Sequence, residues 1–271
     1  MKTSAEDLDL VHTHGHHHGH DVGERLYLHR HSVAHLLPSH LKILAVLAFI
    51  SVSVSTPITR WPAFIAFFFL LVAAAYVSKI PLPLLFKRAL IEIPFIFFAI
   101  LMPFFGTGEK FEIVGIEVYR EGLLAGTSIV VKGTLGVLAA VILSTTTTAR
   151  EILRGLERLK LPAVMVQIAS FMLRYVNVIS DEMERMKVAR ESRGFVATGV
   201  KHWKVLATSA AALFIRSYER GERVHLAMLS RGFDGELPHT ESKEVGLRSW
   251  LQALTIPFLS LLFSLLFLAI G

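Results

Sequence analysis

The sequence contains no cysteine, which excludes disulfides, a thiolate metal site and a thiol nucleophile. It also lacks a Gly-x-x-x-x-Gly-Lys-[Ser/Thr] string, the loop that cradles nucleotide phosphates in many ATPases. The chain therefore does not hydrolyse ATP by the P-loop route. Only 18% of its 271 residues are charged, whereas 53% are hydrophobic. A composition this apolar is typical of an integral membrane protein.

The apolar residues are gathered in five runs, which we interpret as transmembrane helices. The runs are Leu41–Ile58, Trp61–Val77, Ala89–Phe105, Gly122–Ser144 and Ser249–Ile270. Their lengths approach the span of about 20 residues that a helix needs to cross a bilayer. The sequence predicts an all-α integral membrane protein with amphipathic cytoplasmic helices between the fourth and fifth spans. The predicted divisions are a polar tail at 1–40, four spans in 41–144, a cytoplasmic region at 145–248 and a last span at 249–271.

The distribution of charge predicts the orientation. Basic residues follow the second and fourth runs, whereas the segment between the third and fourth runs is net acidic. Because basic loops remain on the cytoplasmic side, we expect a multi-pass protein of the plasma (inner) membrane. Its N-terminus would be cytoplasmic and its C-terminus outside. The net charge of +6 then indicates contact with the lipid bilayer and cytoplasmic partners rather than with nucleic acid.

The region 145–248 holds 17 of the 28 Lys and Arg residues and 12 of the 22 Asp and Glu residues. Apolar residues recur there at helical spacing. A short amphipathic helix is predicted from Glu151 to Leu159, opened by a threonine run and closed before Pro162. Two longer helices, Ala163–Glu191 and His202–Leu229, each begin apolar and end charged.

Both long helices run into the same four residues, Ser-Arg-Gly-Phe. The first string is Ser192–Phe195 and the second string is Ser230–Phe233. Glycine just past a helical run predicts a helix C-cap, because glycine adopts the left-handed conformation without a Cβ penalty. Arginine beside the cap places a positive charge at the negative end of the helix dipole. Two matched ends indicate a pair of docking points rather than two unrelated caps.

Further motifs accompany the strings. They are Arg88–Phe95 with its Ile93-Pro94-Phe95, Leu143–Thr146 followed by Glu151, Leu159–Pro162, Arg174-Tyr175, Asp181–Arg190 and Ser217–Gly221. With the two strings, they resemble the transmembrane coupling (T) subunit of energy-coupling factor transporters, in particular the CbiQ-type subunit of cobalt and nickel uptake systems. The resemblance runs from Leu41 to Gly271. The family signature is usually Ala-Arg-Gly, and both copies here have serine in the first place.

The resemblance implies a non-catalytic scaffold that binds no cofactor itself. Two copies of a cytoplasmic CbiO-type ATPase would hydrolyse ATP with Mg²⁺. A CbiM-type membrane subunit, with or without a small accessory membrane subunit, would capture Co²⁺ or Ni²⁺. The residues implied to couple the chain to the ATPases are Ser192, Arg193, Gly194, Ser230, Arg231 and Gly232.

Ten of the thirteen histidines lie in residues 1–40. His14, His16, His17 and His18 are candidates for an accessory metal site, because imidazole suits both Co²⁺ and Ni²⁺. The alternative is a tail whose metal affinity is incidental, since nothing in the sequence fixes a geometry. We do not expect the transport site itself to lie in this tail.

Two ionisable residues and a glycine pair stand out in the apolar runs. Glu92 and Lys132 are functional candidates by position, but we expect structural roles, with Lys132 pairing across the bundle or snorkelling. Gly122 and Gly126 have the spacing that lets two helices approach closely. Contact with a capture subunit is one use of such a pair.

Other functions stay open at this stage. The same subunit serving a vitamin transporter would pair with several capture subunits, whereas a metal system would pair with one. A stand-alone metal permease needs polar groups near mid-membrane, and the first two runs offer only serine and threonine. An intramembrane enzyme needs a catalytic pair at membrane depth. The choice between cobalt and nickel is also open.

Overall fold

The computed structural model describes residues 35, 37–105, 110–113, 116–195, 199, 202–235 and 246–270. In chain order the elements are α1 (Ser39–Ser55), α2 (Trp61–Val77), α3 (Leu82–Ala89), α4 (Ile93–Phe105), β1 (Lys110–Ile113), β2 (Ile116–Tyr119), α5 (Arg120–Thr146), α6 (Ala149–Arg158), α7 (Ala163–Glu191), α8 (Trp203–Leu229) and α9 (Leu247–Ile270). The predominance of helices confirms the predicted all-α membrane class. By length and composition α5, α7 and α9 can cross a membrane, and α1 and α2 are shorter apolar helices.

The centre of the bundle lies between α1, α2 and α5. Phe67 is fully buried there and meets Phe49 and Phe64 edge-on, with ring centroids 5.9 and 5.8 Å apart. Helix α9 packs against α1 and α2. The hydroxyls of Thr56 and Ser264 share a hydrogen bond of 3.0 Å, which joins the α1–α2 turn to α9.

The run predicted as the third span, Ala89–Phe105, is covered mainly by α4, which begins four residues after the start of the run. Helix α3 ends at Ala89, a 3₁₀ turn covers Leu90–Glu92, and α4 begins at Ile93. Pro94 explains the new start, because proline lacks an N–H and is tolerated in the first turn of a helix. At 13 residues, α4 is about 20 Å long, shorter than the hydrocarbon core of a bilayer.

A short antiparallel hairpin joins α4 to α5. Strands β1 and β2 pair from Lys110 with Tyr119 to Ile113 with Ile116. The sequence analysis treated this segment only as an acidic loop, although polar and apolar residues alternate in Lys110–Ile113 and in Ile116–Val118. The hairpin turns the chain back so that α5 returns antiparallel along α4.

Helix α4 lies against a face of α5 that is made by three glycines. Cβ atoms at Gly122 and Gly133 would collide with Met102 O and with the Glu92 carboxylate, and one at Gly126 would lie 2.5 Å from Ala99 O. The Gly122–Gly126 pair thus mediates close helix approach, as predicted. Its partner is α4 of the same chain, so this pair is used inside the bundle.

Two lysines cap helix ends within the bundle. Lys42, near the start of α1, donates from Nζ to Thr146 O at 2.9 Å and to Thr147 Oγ1 at 3.3 Å, at the end of α5. Lys132 of α5 donates to Val54 O in the last turn of α1, at 2.7 Å. A cation at a helix C-terminus satisfies free carbonyls and complements the dipole. The cross-bundle pairing predicted for Lys132 is confirmed.

Helix α6 connects the bundle to α7. Its capping box is complete: Glu151 N donates to Thr148 Oγ1, and Thr148 N donates to Glu151 Oε2. Gly155 lies against the first turn of α1, where an added Cβ would be 3.0 Å from Ser39 Oγ. Because α6 contacts both α1 and α7, it fixes where α7 leaves the bundle. The assignment of 145–248 to the cytoplasm, and the other limits given above, stay predictions.

Candidate docking ends on a helix pair

The first string closes α7 with a Schellman motif. Gly194 has φ +76°, in the left-handed region that glycine favours. Its N–H donates to Glu191 O at 2.9 Å, and Phe195 N donates to Arg190 O at 3.1 Å. These are the two bonds that define the motif. The predicted glycine C-cap is therefore confirmed.

The second string repeats the same geometry at the end of α8. Gly232 has φ +81°, with N–H bonds from Gly232 to Leu229 O and from Phe233 to Met228 O, both 3.0 Å. The serines match as well. Ser192 Oγ donates to Ala189 O at 3.1 Å, and Ser230 Oγ donates to Ala227 O at 2.9 Å. Each hydroxyl is satisfied within its own helix, which explains physically how serine can replace alanine in the signature.

The arginine of each string lies at the C-terminal end of its helix. Arg193 and Arg231 are both exposed, and neither guanidinium has a hydrogen bond or ion pair within the described part of the chain. Each cap holds its arginine on a fixed turn at the tip of a helix. The arrangement presents a planar, permanently charged donor, which suits bidentate pairing with a carboxylate of a partner.

Helices α7 and α8 run antiparallel, so that the two strings lie at opposite ends of the pair. The Phe195 ring meets His202, at the start of α8, with centroids 5.2 Å apart. At the other end Gln167 Nε2 donates to Gly235 O at 2.7 Å, just beyond the second string. The 24 residues from Gln167 to Glu191 place the two strings about 36 Å apart.

Glu182 joins the two helices near the middle of the pair. Its carboxylate accepts from Arg185 of α7 at 2.8 Å and from Arg216 of α8 at 2.5 Å. Hydrogen bonds from Arg185 and then from Arg216 hold the pKa of Glu182 below its usual value. A carboxyl whose pKa is lowered on folding stabilises the folded chain at pH values above the ordinary pKa of a carboxyl. The link between α7 and α8 therefore persists at neutral pH. It is lost only as the pH falls through the lowered pKa.

The glycines of the strings give a direct test of the cap geometry. Gly194→Ala and Gly232→Ala should each destabilise the chain by about 1–2 kcal/mol, because alanine is disfavoured in the left-handed region. Gly221→Ala is the matched control, since Gly221 lies inside α8 with no atom within 4 Å of an added Cβ. It should stabilise the chain by about 0.5–1 kcal/mol. Thermal unfolding in detergent measures these shifts, and equal shifts at all three positions would contradict the assignment.

The other candidate residues are placed apart from the strings. Glu92 is 3% exposed and accepts from Thr134 Oγ1 at 2.9 Å, while its Oε1 is buried without a partner among the described residues. His14, His16, His17 and His18 lie outside the described residues. Within the part that is described, no group of three or more His, Cys, Asp or Glu residues could hold a metal ion.

The sequence analysis missed the contacts that arrange the helix pair. Glu182 and Arg216 were assigned only to charged helix segments, and Gln167 was not singled out. The significance of these residues depends on how α7 and α8 lie against each other. Opposite charges at positions 182 and 216 were the only available signal, and charge alone does not choose one pairing among many.

Comparisons of the sequence with known proteins identify a family and several relatives. The sequence model of one family, described as the cobalt transport protein CbiQ, matches residues 30–243. An uncharacterized protein of Methanocaldococcus jannaschii is 36% identical over 137 residues, which cover 49% of this chain and 51% of that protein. The energy-coupling factor transporter transmembrane protein EcfT of Staphylococcus aureus is 27% identical over 238 residues, covering 81% of this chain and 86% of that protein.

A third relative is a longer protein. The protein described as the fused cobalt transport protein CbiMQ of Methanocorpusculum labreanum is 28% identical over 242 residues. The match covers 83% of this chain but 39% of the relative. This chain thus corresponds to only part of the fused protein.

Proposed function

The chain belongs to the CbiQ family of cobalt transport proteins, and on that basis we propose that it is the coupling subunit of an ATP-driven energy-coupling factor importer. In this role it links two copies of a CbiO-type ATPase to a membrane subunit that captures the substrate. The chain is a scaffold without catalysis of its own. ATP and Mg²⁺ belong to the ATPases, and the transported ion belongs to the capture subunit.

The observation that carries the proposal is the matched pair of helix ends. Both strings have the same Schellman geometry and an exposed arginine, and they lie at opposite ends of one antiparallel pair. Two equal docking ends suit two copies of one partner. Because each arginine sits at a rigid helix tip rather than in a loop, movement of the bound ATPase moves the helix as a unit.

The apolar parts of the same helices supply a surface for the capture subunit. Val164 and Met172 of α7 are 64% and 67% exposed, and Phe214 and Ile215 of α8 are 70% and 57% exposed. Apolar groups at this exposure favour contact with a membrane-embedded partner. We infer that closure of the two ATPases on ATP changes the angle between α7 and α8, and that these surfaces then tilt or release the capture subunit.

The name of the fused relative, CbiMQ, joins a CbiM part to a CbiQ part. We infer from this that the capture partner of this chain is of the CbiM type, and that cobalt is the first substrate to test. Nickel is the second, because imidazole and related nitrogen ligands accept both ions. An accessory role of the N-terminal histidines stays part of this proposal.

Reconstitution in vesicles tests the function directly. The chain, the ATPase and the capture subunit are incorporated together, and uptake of Co²⁺ and Ni²⁺ is measured with ATP and with a non-hydrolysable analogue. We expect uptake only with all three proteins and hydrolysable ATP, and native mass spectrometry should find two ATPase copies per chain. Uptake by the chain alone would instead show a permease, and vitamin uptake with other capture subunits would show a vitamin transporter.

A further inference from the structure

The first turn of α1 is the place where the bundle meets α6. Lys42 of this turn is 8% exposed, and its Nζ donates to Thr146 O and Thr147 Oγ1 at the end of α5. Thr145, Thr146 and Thr147 are all buried. Only Thr147 and Thr148 lie between α5 and α6, and Thr148 is the N-cap of α6. Lys42 therefore holds the short buried segment through which the bundle continues into α6.

The same turn of α1 also holds the second half of α6. A Cβ added at Gly155 would lie 2.8 Å from Ile43 Cδ1 and 3.0 Å from Ser39 Oγ, so the two helices are in close contact there. Arg158, in the last turn of α6, lies with its Nη1 at 3.3 Å from His40 Nδ1. Helix α6 is thus held against α1 near its end as well as at its start.

The junction between α6 and α7 has little conformational freedom. Lys160 N donates to Glu157 O at 3.0 Å. Leu161 N donates to Leu156 O at 3.2 Å, which completes a Schellman motif with Lys160 at φ +64°. Pro162 follows directly and is the N-cap of α7. Because proline fixes its own φ and restricts the residue before it, the start of α7 follows the position of α6.

We propose that Lys42 is a positioning residue for coupling, which keeps α1, α5 and α6 together as one body and so fixes the start of α7 to the membrane spans. This inference rests on the proposed function. With the start of α7 fixed, a displacement of the first string by its ATPase rotates α7 relative to the spans. Without the ammonium, Thr146 O is a buried acceptor that lacks its donor, and the segment between α5 and α6 is weakened. The ATPases would still bind and hydrolyse ATP, but their movement would displace the junction instead of rotating α7.

The first test measures the coupling ratio, defined as the number of Co²⁺ ions taken up per ATP hydrolysed in vesicles that contain the chain, the ATPase and the capture subunit. Lys42→Met removes the ammonium but keeps an unbranched side chain. We expect the ratio to fall about tenfold, within the range found for residues that carry coupling between sites, while two ATPases remain bound. Lys42→Arg should restore most of the ratio, because the donors are kept.

Lys132→Met is the matched control for the loss of a lysine inside the bundle. Lys132 makes the same kind of contact, since its Nζ donates to Val54 O at 2.7 Å, but it does so at the opposite end of α1 from α6. A role in stability alone predicts similar effects of Lys42→Met and Lys132→Met. A role in positioning α6 predicts that only Lys42→Met lowers the coupling ratio.

A disulfide bridge between α1 and α6 tests the position of α6 independently of the lysine. The separation of 3.0 Å between an added Cβ at Gly155 and Ser39 Oγ is about that between one Cβ and the opposite sulfur in a disulfide. The chain contains no cysteine, so Ser39→Cys together with Gly155→Cys allows a single defined bridge. In the Lys42→Met background, oxidation should return the coupling ratio towards that of the wild type, and reduction should lower it again.

Arg158→Ala decides the question if the Lys42→Met chain does not fold. Arg158 is exposed, so its truncation leaves the core of the bundle intact. Loss of the contact with His40 should lower the coupling ratio about twofold. Arg154→Ala is the control, because Arg154 is an exposed arginine of the same helix one turn earlier, and it should leave the ratio unchanged.

The possible outcomes separate this inference from the function on which it rests. If vesicles with the wild-type chain show no ATP-driven uptake, the proposed function fails. If they take up Co²⁺ but Lys42→Met folds and leaves the coupling ratio unchanged, the inference is overturned and the function stands. The same holds if Lys42→Met and Lys132→Met lower the ratio equally, or if the bridge restores nothing. Should Lys42→Met not fold, an unchanged ratio in Arg158→Ala overturns the inference.

Discussion

A chain carrying both Arg193→Ala and Arg231→Ala is expected to lose its ATPases and all ATP-driven uptake while it still inserts into the membrane. Each arginine is the charged group at the tip of a capped helix, and truncating one partner of a partly desolvated charge pair costs about 2–5 kcal/mol. Two such losses leave no end able to hold an ATPase. Each single variant should retain one ATPase copy, since the ends lie on opposite sides of the helix pair.

Co-purification with quantified ATPase stoichiometry measures this result. Arg220→Ala serves as the control, because Arg220 is an exposed arginine of α8 outside both strings. It should leave two ATPases bound. Arg193→Lys and Arg231→Lys add a second comparison, since lysine keeps the charge but lacks the planar fork. If the double variant assembles and transports normally, the strings are helix caps alone and the coupling role must lie elsewhere.

Gly126→Ala is expected to destabilise the bundle strongly, whereas the same substitution at Gly136 of the same helix should stabilise it. A Cβ at Gly126 would lie 2.5 Å from Ala99 O, a backbone atom of α4 that cannot turn aside. Forcing the two helices apart costs about 1–3 kcal/mol or more. No atom lies within 4 Å of an added Cβ at Gly136. Alanine there gains about 0.5–1 kcal/mol from its lower backbone entropy cost in a helix.

The midpoints of thermal unfolding of the two variants in detergent should therefore move in opposite directions. A loss of about 3 kcal/mol at Gly126 corresponds to a fall of roughly 6–12 °C for a chain of this size. Gly122→Ala should resemble Gly126→Ala, since its Cβ would meet the backbone of Met102. If Gly126→Ala and Gly136→Ala give the same shift, α4 does not lie against α5 as described.

The features that the sequence predicted well are those decided by neighbouring residues. Gly194 and Gly232 each lie three residues beyond the end of a helix, and the glycine C-cap needs only the local backbone and a residue without Cβ. The start of α6 at the threonine run was also predicted, and the capping box that fixes it, Thr148 with Glu151, is contained within four residues. Long apolar periodicity also sufficed for α5, whose observed bounds exceed the predicted run by two residues at each end.

The features that it did not predict depend on contacts between distant segments. The third apolar run gave no sign that Glu92 would be buried against Gly133 of α5, where the chain forms a 3₁₀ turn before α4. The antiparallel placement of α7 and α8 is likewise set by tertiary contacts such as Glu182 with Arg216. The roles of the two strings could be proposed from the sequence because the string occurs twice. The distance between the two strings could not be predicted from the sequence.

The position of Glu182 along the helix pair has a mechanical consequence. Eleven residues separate it from Arg193, and fifteen separate Arg216 from Arg231, so the link divides the pair into arms of about 16 and 22 Å. Hydrogen-bonded helices are stiff over such lengths, whereas an exposed ion pair resists rotation only weakly. A force applied at the helix ends therefore changes the angle between α7 and α8 rather than bending either helix. A displacement of about 5 Å at the longer arm changes the crossing angle by roughly 13°, and every side chain along both helices turns with it.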